Sequence, residues 1–304
     1  MRLPEAIGCK RGDALAFVGA GGKTSAMFVL AEALVPPVVL TTTTHLGAWQ
    51  SGLADLHHII ESVEELNQID FNQPKTMLVT GPAGEDDRLS GLQAEVLSRL
   101  FEQCRAKKLP LLIEADGARQ RPLKAPAPYE PVIPDWVTHV VVMAGLLGLG
   151  HPLDDKTVHR PKIFARLSGC ELGEPITVNH VQKVLTSEEG GLKEIPQGAQ
   201  RILLLNQAED KRLKGEGFRL ARKFLDAYDR ILVGSLHQPG QSGPIFSVHA
   251  RTAGVILAAG GSERLGQPKQ LLEWQGVPFI RQVALNALGA GLSPVIAVIG
   301  ADRE

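Results

Sequence analysis

The chain has 304 residues, with 32 Lys and Arg against 33 Asp and Glu, a formal net charge of −1, 44% hydrophobic residues and 5% aromatic ones. Balanced charge and few rings argue against a basic, stacking nucleic-acid binder, and the length allows two domains, each with its own core. Three cysteines, none in a Cys-x-x-Cys, argue against a disulfide framework or a zinc knuckle and point to a reducing cytoplasm.

The amino terminus lacks an apolar run followed by a small-residue cleavage site, so it does not read as a signal peptide. Trp136–Leu153 and Gln282–Ala301 are uncharged at membrane-span length, but Gly and Pro break both, so buried strand-plus-loop segments are expected and no membrane. Short apolar runs alternate with amphipathic stretches along the chain, the pattern of an α/β protein with a mostly parallel sheet and flanking helices. Strands are expected at Leu15–Val18, Val38–Leu40, Thr76–Val79, Leu111–Ile113, His139–Met143, Arg201–Leu205 and Arg230–Val233. Helices are expected over Thr24–Leu34, Ser90–Ala106, Arg160–Leu167, Val178–Leu185 and Lys211–Tyr228. The polar, Gly- and Pro-rich text at His237–Val248 reads as a linker. A second unit follows with a strand at Gly254–Ala258, a Gly-rich loop, a helix over Pro278–Ala290 and a strand at Pro294–Ile299. The expected domains are therefore residues 1–240 and an incomplete unit over residues 253–304.

The first Gly-rich stretch runs from the strand through Gly19, Gly21 and Gly22 into Lys23, Thr24 and Ser25. Backbone amides, a helix dipole and a lysine would together hold phosphates there, with Thr24 offering its hydroxyl to Mg²⁺. The spacing is that of a shortened P-loop. A dinucleotide fold is the rival, but its third glycine would fall at Thr24 and Thr41 stands where an acidic ribose ligand belongs, so a mononucleotide triphosphate is favoured. Thr43 and Thr44 follow the second strand and would bring hydroxyls to the same crevice, while His45 reads as structural. Glu114 and Asp116 end an apolar strand two residues apart and so point to one side. They would hold Mg²⁺ or orient water beside Lys23; the bland alternative pairs them with Arg119, Arg121 or Lys124.

Five motifs occur in one order: Gly-Ala-Gly-Gly-Lys-Thr, Thr-Thr-Thr-Thr-His, Glu-Ala-Asp-Gly-Ala-Arg followed by Pro-Leu-Lys-Ala-Pro, Glu130-Pro-Val-Ile-Pro and Val158-His159-Arg160-Pro. Over residues 10–235 the ordered set resembles the YqeC family. That resemblance implies a nucleotide-binding maturation factor for selenium-dependent molybdenum hydroxylases, with such an enzyme as client. Arg119, Lys124, His159 and Arg160 are candidate contacts for phosphate or a substrate acid; for His159 and Arg160, just before a helix opened by Pro161, capping-region polar residues are the equal alternative. The run from Asn206 looks like the strand-end Asn-Lys-x-Asp base-reading motif of GTPases, with Gln207 and Glu209 departing from it. Asn206 is a candidate base contact, and a helix N-terminal turn is the alternative.

The second Gly-rich stretch, Leu257-Ala258-Ala-Gly260-Gly261-Ser-Glu-Arg264, with Lys269 downstream, supplies amides and two cations for a triphosphate whose pyrophosphate leaves. It resembles the signature of MobA/MocA-like nucleotidyltransferases, and the resemblance places Leu257, Ala258, Gly260 and Gly261 around base and phosphates and Arg264 and Lys269 on the triphosphate. The expected whole is a P-loop-type domain followed by an incomplete Rossmann-like nucleotidyltransferase unit. It would bind Mg²⁺ and ATP, GTP or CTP, with a molybdopterin-type cofactor as a further partner. Two other readings are cytidylyl transfer from CTP to molybdopterin as the main activity, and a scaffold that delivers cofactor without turnover.

Overall fold

The computed structural model describes residues 1–84, 87–236, 244–260 and 269–300. Two units are resolved, Met1–His249 and Ala250–Glu304. The first is built on a nine-stranded sheet of β1 (Ala14–Gly19), β2 (Val38–Thr42), β3 (Leu56–Ile59), β4 (Thr76–Thr80), β5 (Leu111–Glu114), β6 (His139–Gly145), β7 (Gln200–Asn206), β8 (Arg230–Gly234) and β9 (Ile245–Ala250). Their order in space is β9-β8-β7-β6-β1-β5-β2-β4-β3. Every pairing among β1 to β8 is parallel.

Side chains alternate between the two faces of a strand, and both faces of this sheet are apolar. On β1, Ala14, Ala16 and Val18 join one core, and Leu15 and Phe17 join the other. β7 does the same, with Leu203 and Leu205 on one side and Ile202 and Leu204 on the other. Burial on both faces is why these strands read as unbroken apolar runs. Helices α1 (Leu3–Ile7) and α2 (Lys23–Ala33) cover one face. The other is covered by α3 (Ala94–Lys107), α4 (Pro161–Ser168), α5 (Val178–Leu185) and α6 (Lys211–Lys223).

All seven strands expected in the first unit are present, each with small shifts of its ends. The helix expected from Ser90 starts at Ala94. Residues Arg88–Ser90 instead pair antiparallel with His45–Gly47, and the Leu92 amide donates to Thr42 O at 3.2 Å, which holds this segment extended. Helix α6 stops at Lys223 rather than Tyr228, because Phe224 and Tyr228 turn into the core and meet edge to face with centroids 6.0 Å apart. The expected linker is in part a strand: Ile245 is buried, its amide donates to Met1 O at 3.4 Å, and β9 closes the edge of the sheet.

In the second unit β10 (Gly254–Ala258) pairs in parallel with β11 (Val295–Ile299), and α7 (Phe279–Gly289) lies between them in the chain. Among the described residues beyond Ala250, the single buried hydrophobic side chain is Ala258. No helix of the described residues is long and apolar enough to cross a membrane.

Candidate functional site

The carboxyl ends of the central strands are in register. Phe17 and Thr42 both stand opposite Glu114, Gly19 opposite Met143, and Asn206 opposite Gly145. β1 lies between β5 and β6, so the connections after β1 and β5 run to opposite sides and leave a crevice at this edge.

The turn after β1 fills that crevice. Gly19 and Gly21 have φ of 89° and 83°, and a Cβ on them would lie 2.3 Å from Met143 O and 2.4 Å from Gly145 N. Only glycine meets both demands. The Ala20 amide donates to Met143 O at 2.9 Å and the Gly21 amide to Arg121 O at 3.1 Å, which anchors the turn to β6 and to the segment after β5. Exposed Gly22 leads into α2, whose first-turn amides at Lys23, Thr24 and Ser25 have no earlier carbonyl within the helix and sit at its positive end.

Behind the turn runs a chain of alternating charge: Glu114, Lys23, Asp116, Lys124, Glu130, Arg160. Lys23 is 4% exposed; its Nζ donates to Gly19 O at 2.8 Å and lies 3.1 Å from Asp116 Oδ1 and 3.9 Å from Glu114 Oε1. The Thr24 hydroxyl donates to Glu114 Oε2 at 2.7 Å. Asp116 Oδ2 accepts from the Gly19 amide at 2.9 Å and pairs with Lys124 Nζ at 2.9 Å. Lys124 Nζ lies 2.6 Å from Glu130 Oε2, and Arg160 grips both oxygens of Glu130 at 2.6 and 2.7 Å. Such bidentate pairs fix orientation as well as charge.

These contacts set the protonation behaviour. Burial raises the Glu114 carboxyl above the usual range, with Lys23 and Thr24 restraining it. Burial works against the charge on Lys23, but Asp116 and Glu114 outweigh it and hold the ammonium above its ordinary value. Burial also opposes ionisation of Glu130, yet hydrogen bonds from Arg160 and Lys124 bring it down to about 2. His159, half buried, is pushed down to about 4 by desolvation and by its neighbours Arg160 and Lys124.

The structure brings Gly19, Gly21, Gly22, Lys23, Thr24, Glu114 and Asp116 together and adds Lys124 and Arg160 as the partners of the acids. Asp116 therefore takes up the ion pair with Lys124 weighed as the bland alternative, and Lys23 as well. Thr43 donates from its hydroxyl to Val132 O at 2.9 Å and from its amide to Glu114 O at 3.0 Å; the Thr44 amide donates to the Thr42 hydroxyl at 3.0 Å. Asn206 is buried and joins β7 to the turn, donating to Gly21 O at 2.7 Å and accepting from the Leu236 amide at 2.8 Å. Asp210, at the end of the run that looks like a base-reading motif, caps α6 by accepting from the Leu213 amide at 2.7 Å. Arg119 is exposed, with a φ of 47°. In the second unit Leu257, Ala258, Gly260 and Lys269 line one concavity with Phe279; Gly261 and Arg264 lie outside the described residues.

Two further residues around the site were given no role from the sequence. Glu130 stands in a quoted motif but had no assigned role, and it joins Lys124 to Arg160. Lys193 donates to the carbonyls of Ala127, Pro128 and Glu130, each at 2.7 Å. A contact across more than sixty positions leaves no local signal in the chain.

The oxygens of Asp116, Glu114 and Thr24 gather around the Lys23 ammonium. Asp116 Oδ1 is buried without accepting a directed hydrogen bond, and Glu114 and Thr24 add oxygens around the same lysine. Among the described residues no group of three or more His, Cys, Asp or Glu side chains is placed to hold a metal.

Sheet and site together define an α/β protein whose charged crevice at the carboxyl edge of a parallel sheet is opened by a Gly-Gly-Lys-Thr turn. The YqeC protein family matches residues 15–162, which contain the whole charged chain from Lys23 to Arg160. The uncharacterized protein YqeC of Escherichia coli (strain K12) is 30% identical over 201 residues, covering 65% of this chain and 77% of the relative. The chain belongs to the YqeC family. Residues 254–304 match the MobA-like NTP transferase domain. Over 53 residues this part is 40% identical to the probable molybdenum cofactor guanylyltransferase of Bacillus cereus (strain G9842) and 38% identical to that of Bacillus anthracis (strain CDC 684 / NRRL 3495). Those matches span 17% of this chain and 26% of each relative. No solved structure gives a significant match.

Proposed function

We propose that residues 1–240 form a P-loop-type domain that binds a nucleoside triphosphate with Mg²⁺ at Gly19–Ser25. Residues 253–304 correspond to the amino-terminal portion of a MobA/MocA-like nucleotidyltransferase unit of Rossmann-like topology. The chain then serves molybdenum cofactor maturation in the cytoplasm, with selenium-dependent hydroxylases as clients. The observation that carries the nucleotide reading is the convergence on Gly19: its amide meets Asp116 and its carbonyl meets Lys23, so loop, lysine and acids form one unit at the sheet's switch point.

Each residue then has a physical task. The α2 amides and Lys23 bind phosphate oxygens, the amides through the dipole and the lysine as a point charge. Asp116 remains charge-compensated when Lys23 turns to phosphate, because Lys124 holds its other oxygen. Glu114, Thr24 and Asp116 are the residues that would hold Mg²⁺, which supplies charge neutralisation at the phosphates when bound. Glu114 is also the candidate to orient water, its buried carboxyl having the raised proton affinity that suits such a role.

Calorimetry with ATP, GTP and CTP, each with Mg²⁺ and with EDTA, tests this reading. Lys23→Ala is expected to weaken the preferred triphosphate at least tenfold; equal affinity of wild type and variant for all three overturns it. A steady-state phosphate-release assay with and without a molybdopterin-type ligand separates turnover from a delivery scaffold, which releases none under either condition. The MobA-like match favours a second reading for residues 253–304, nucleotidyl transfer to a molybdopterin-type acceptor, and pyrophosphate release from CTP or GTP tests it.

A further inference from the structure

Tyr129 is 75% exposed, yet the backbone on both sides of it is tied down. Lys193 ties together the carbonyls of Ala127, Pro128 and Glu130, on both sides of the tyrosine, each at 2.7 Å. The Glu130 carboxylate next to it is fixed by Lys124 and by both arms of Arg160. The Arg160 guanidinium, immobilised by that grip, lies over the Tyr129 ring at 5.8 Å from its centroid. The ring is thus steadied by a fixed cation that also meets its hydroxyl, and most of it is open to water.

The position of the ring relates it to the crevice. Val132 is bound to the carboxyl edge of the sheet, its amide donating to Ala115 O at 3.0 Å and its carbonyl accepting from the Thr43 hydroxyl at 2.9 Å. Three residues of chain reach at most about 10 Å, so Tyr129 lies within that distance of the sheet's carboxyl edge, which also carries the glycine turn. An isolated exposed aromatic gains nothing from a rigid support in water. A rigid, cation-backed ring beside a phosphate site is suited to receive a planar heterocycle, since stacking loses little when the platform is already ordered.

We infer that Tyr129, backed by Arg160 and held by Lys193, is the stacking platform for the nucleobase of the ligand whose phosphates lie at Gly19–Ser25. The inference rests on the triphosphate reading of that loop, and it adds a ring contact independent of the phosphate contacts that favours nucleotides over bare polyphosphate and tolerates base identity, because every base has a π-face.

The test compares ATP, GTP and CTP with inorganic tripolyphosphate, all with Mg²⁺, binding to the full chain and to Tyr129→Ala, Tyr129→Phe and Lys23→Ala. Tyr129→Ala is expected to weaken the nucleotides about tenfold and leave tripolyphosphate unchanged, while Tyr129→Phe binds as wild type. Unchanged nucleotide binding in Tyr129→Ala overturns the platform, as does an equal loss for nucleotides and tripolyphosphate. Lys23→Ala is expected to weaken both ligand types. If it weakens neither while Tyr129→Ala still selects against nucleotides, the platform stands and the loop reading falls. If no nucleotide binds to wild type, both fall.

Discussion

Two parallel strands of similar make-up meet opposite surroundings. β7 carries Ile202, Leu203, Leu204 and Leu205, all fully buried, whereas β10 exposes Val255 at 60% and Leu257 at 82%. The difference lies in their neighbours. β7 has β6 on one side and β8 on the other, with an apolar core against each face; among the described residues β10 pairs with β11 alone. An apolar strand states what it is able to bury, and the number of elements around it decides what is buried. The turn after β1 is completed by partners from distant parts of the first unit, such as Glu114, which is 90 positions from Thr24.

Loss of a central charge in that network should be the largest single effect. Lys124→Met leaves Asp116 with Lys23 alone and Glu130 with Arg160 alone, and breaking buried pairs from one side costs up to about 3–5 kcal/mol. Urea denaturation should show that loss at pH 7. A cost near 1 kcal/mol would mean the acids are reached by water and the network is a surface feature. Next in size is Leu203→Ala on β7, expected to cost about 2–4 kcal/mol by removing methyl groups from a closed core. The same urea experiment checks it.

Acid should act on the first unit in two steps. His159 is held down to about 4 from 6.5, so the unfolded chain takes up its proton first, and stability present above pH 6.5 is lost between pH 6.5 and 4. Glu130 is held down to about 2 from 4.5, so its contribution is complete above pH 4.5 and is lost as pH falls toward 2. In thermal melts, His159→Gln should remove the upper part of that decline. The gap between wild type and Glu130→Gln should be widest above pH 4.5 and narrow below it. A gap that stays constant down to pH 2.5 would show that Glu130 is not held by Lys124 and Arg160.

The strands and the glycine turn were legible because their causes are local. A doubly buried strand must be apolar throughout, and a backbone with φ near 85° against a neighbouring strand must be glycine, as at Gly19 and Gly21. The acid pair was legible as a pair, since alternation puts Glu114 and Asp116 on one side. Lys124 was one of three cations weighed against them, and a loop separates it from Asp116, so the sequence could not choose it over Arg119 or Arg121; Arg160 reaches Glu130 across thirty positions, beyond any local signal. The start of α3 was hidden for a related reason: Arg88–Ser90 has helix-compatible residues, but His45–Gly47 provides a strand to pair with. Lys193 was invisible, since its targets are backbone carbonyls and any sequence supplies those.

The smallest expected effect is also the one that bears most directly on β7 and β10. Leu257→Ala should change stability by no more than about 0.5 kcal/mol, as surface substitutions do. The chemistry removed is the same as in Leu203→Ala, so the difference between the two variants measures surroundings alone. Because, among the described residues, neither apolar core draws a buried residue from beyond Ile245, a chain ending at Ala250 should melt at the same temperature as the full chain. If Leu257→Ala costs as much as Leu203→Ala, the outer face of β10 is covered in solution. A truncation at Ala250 would then lower the melting temperature as well, and the two strands would differ in which partner buries them rather than in whether they are buried.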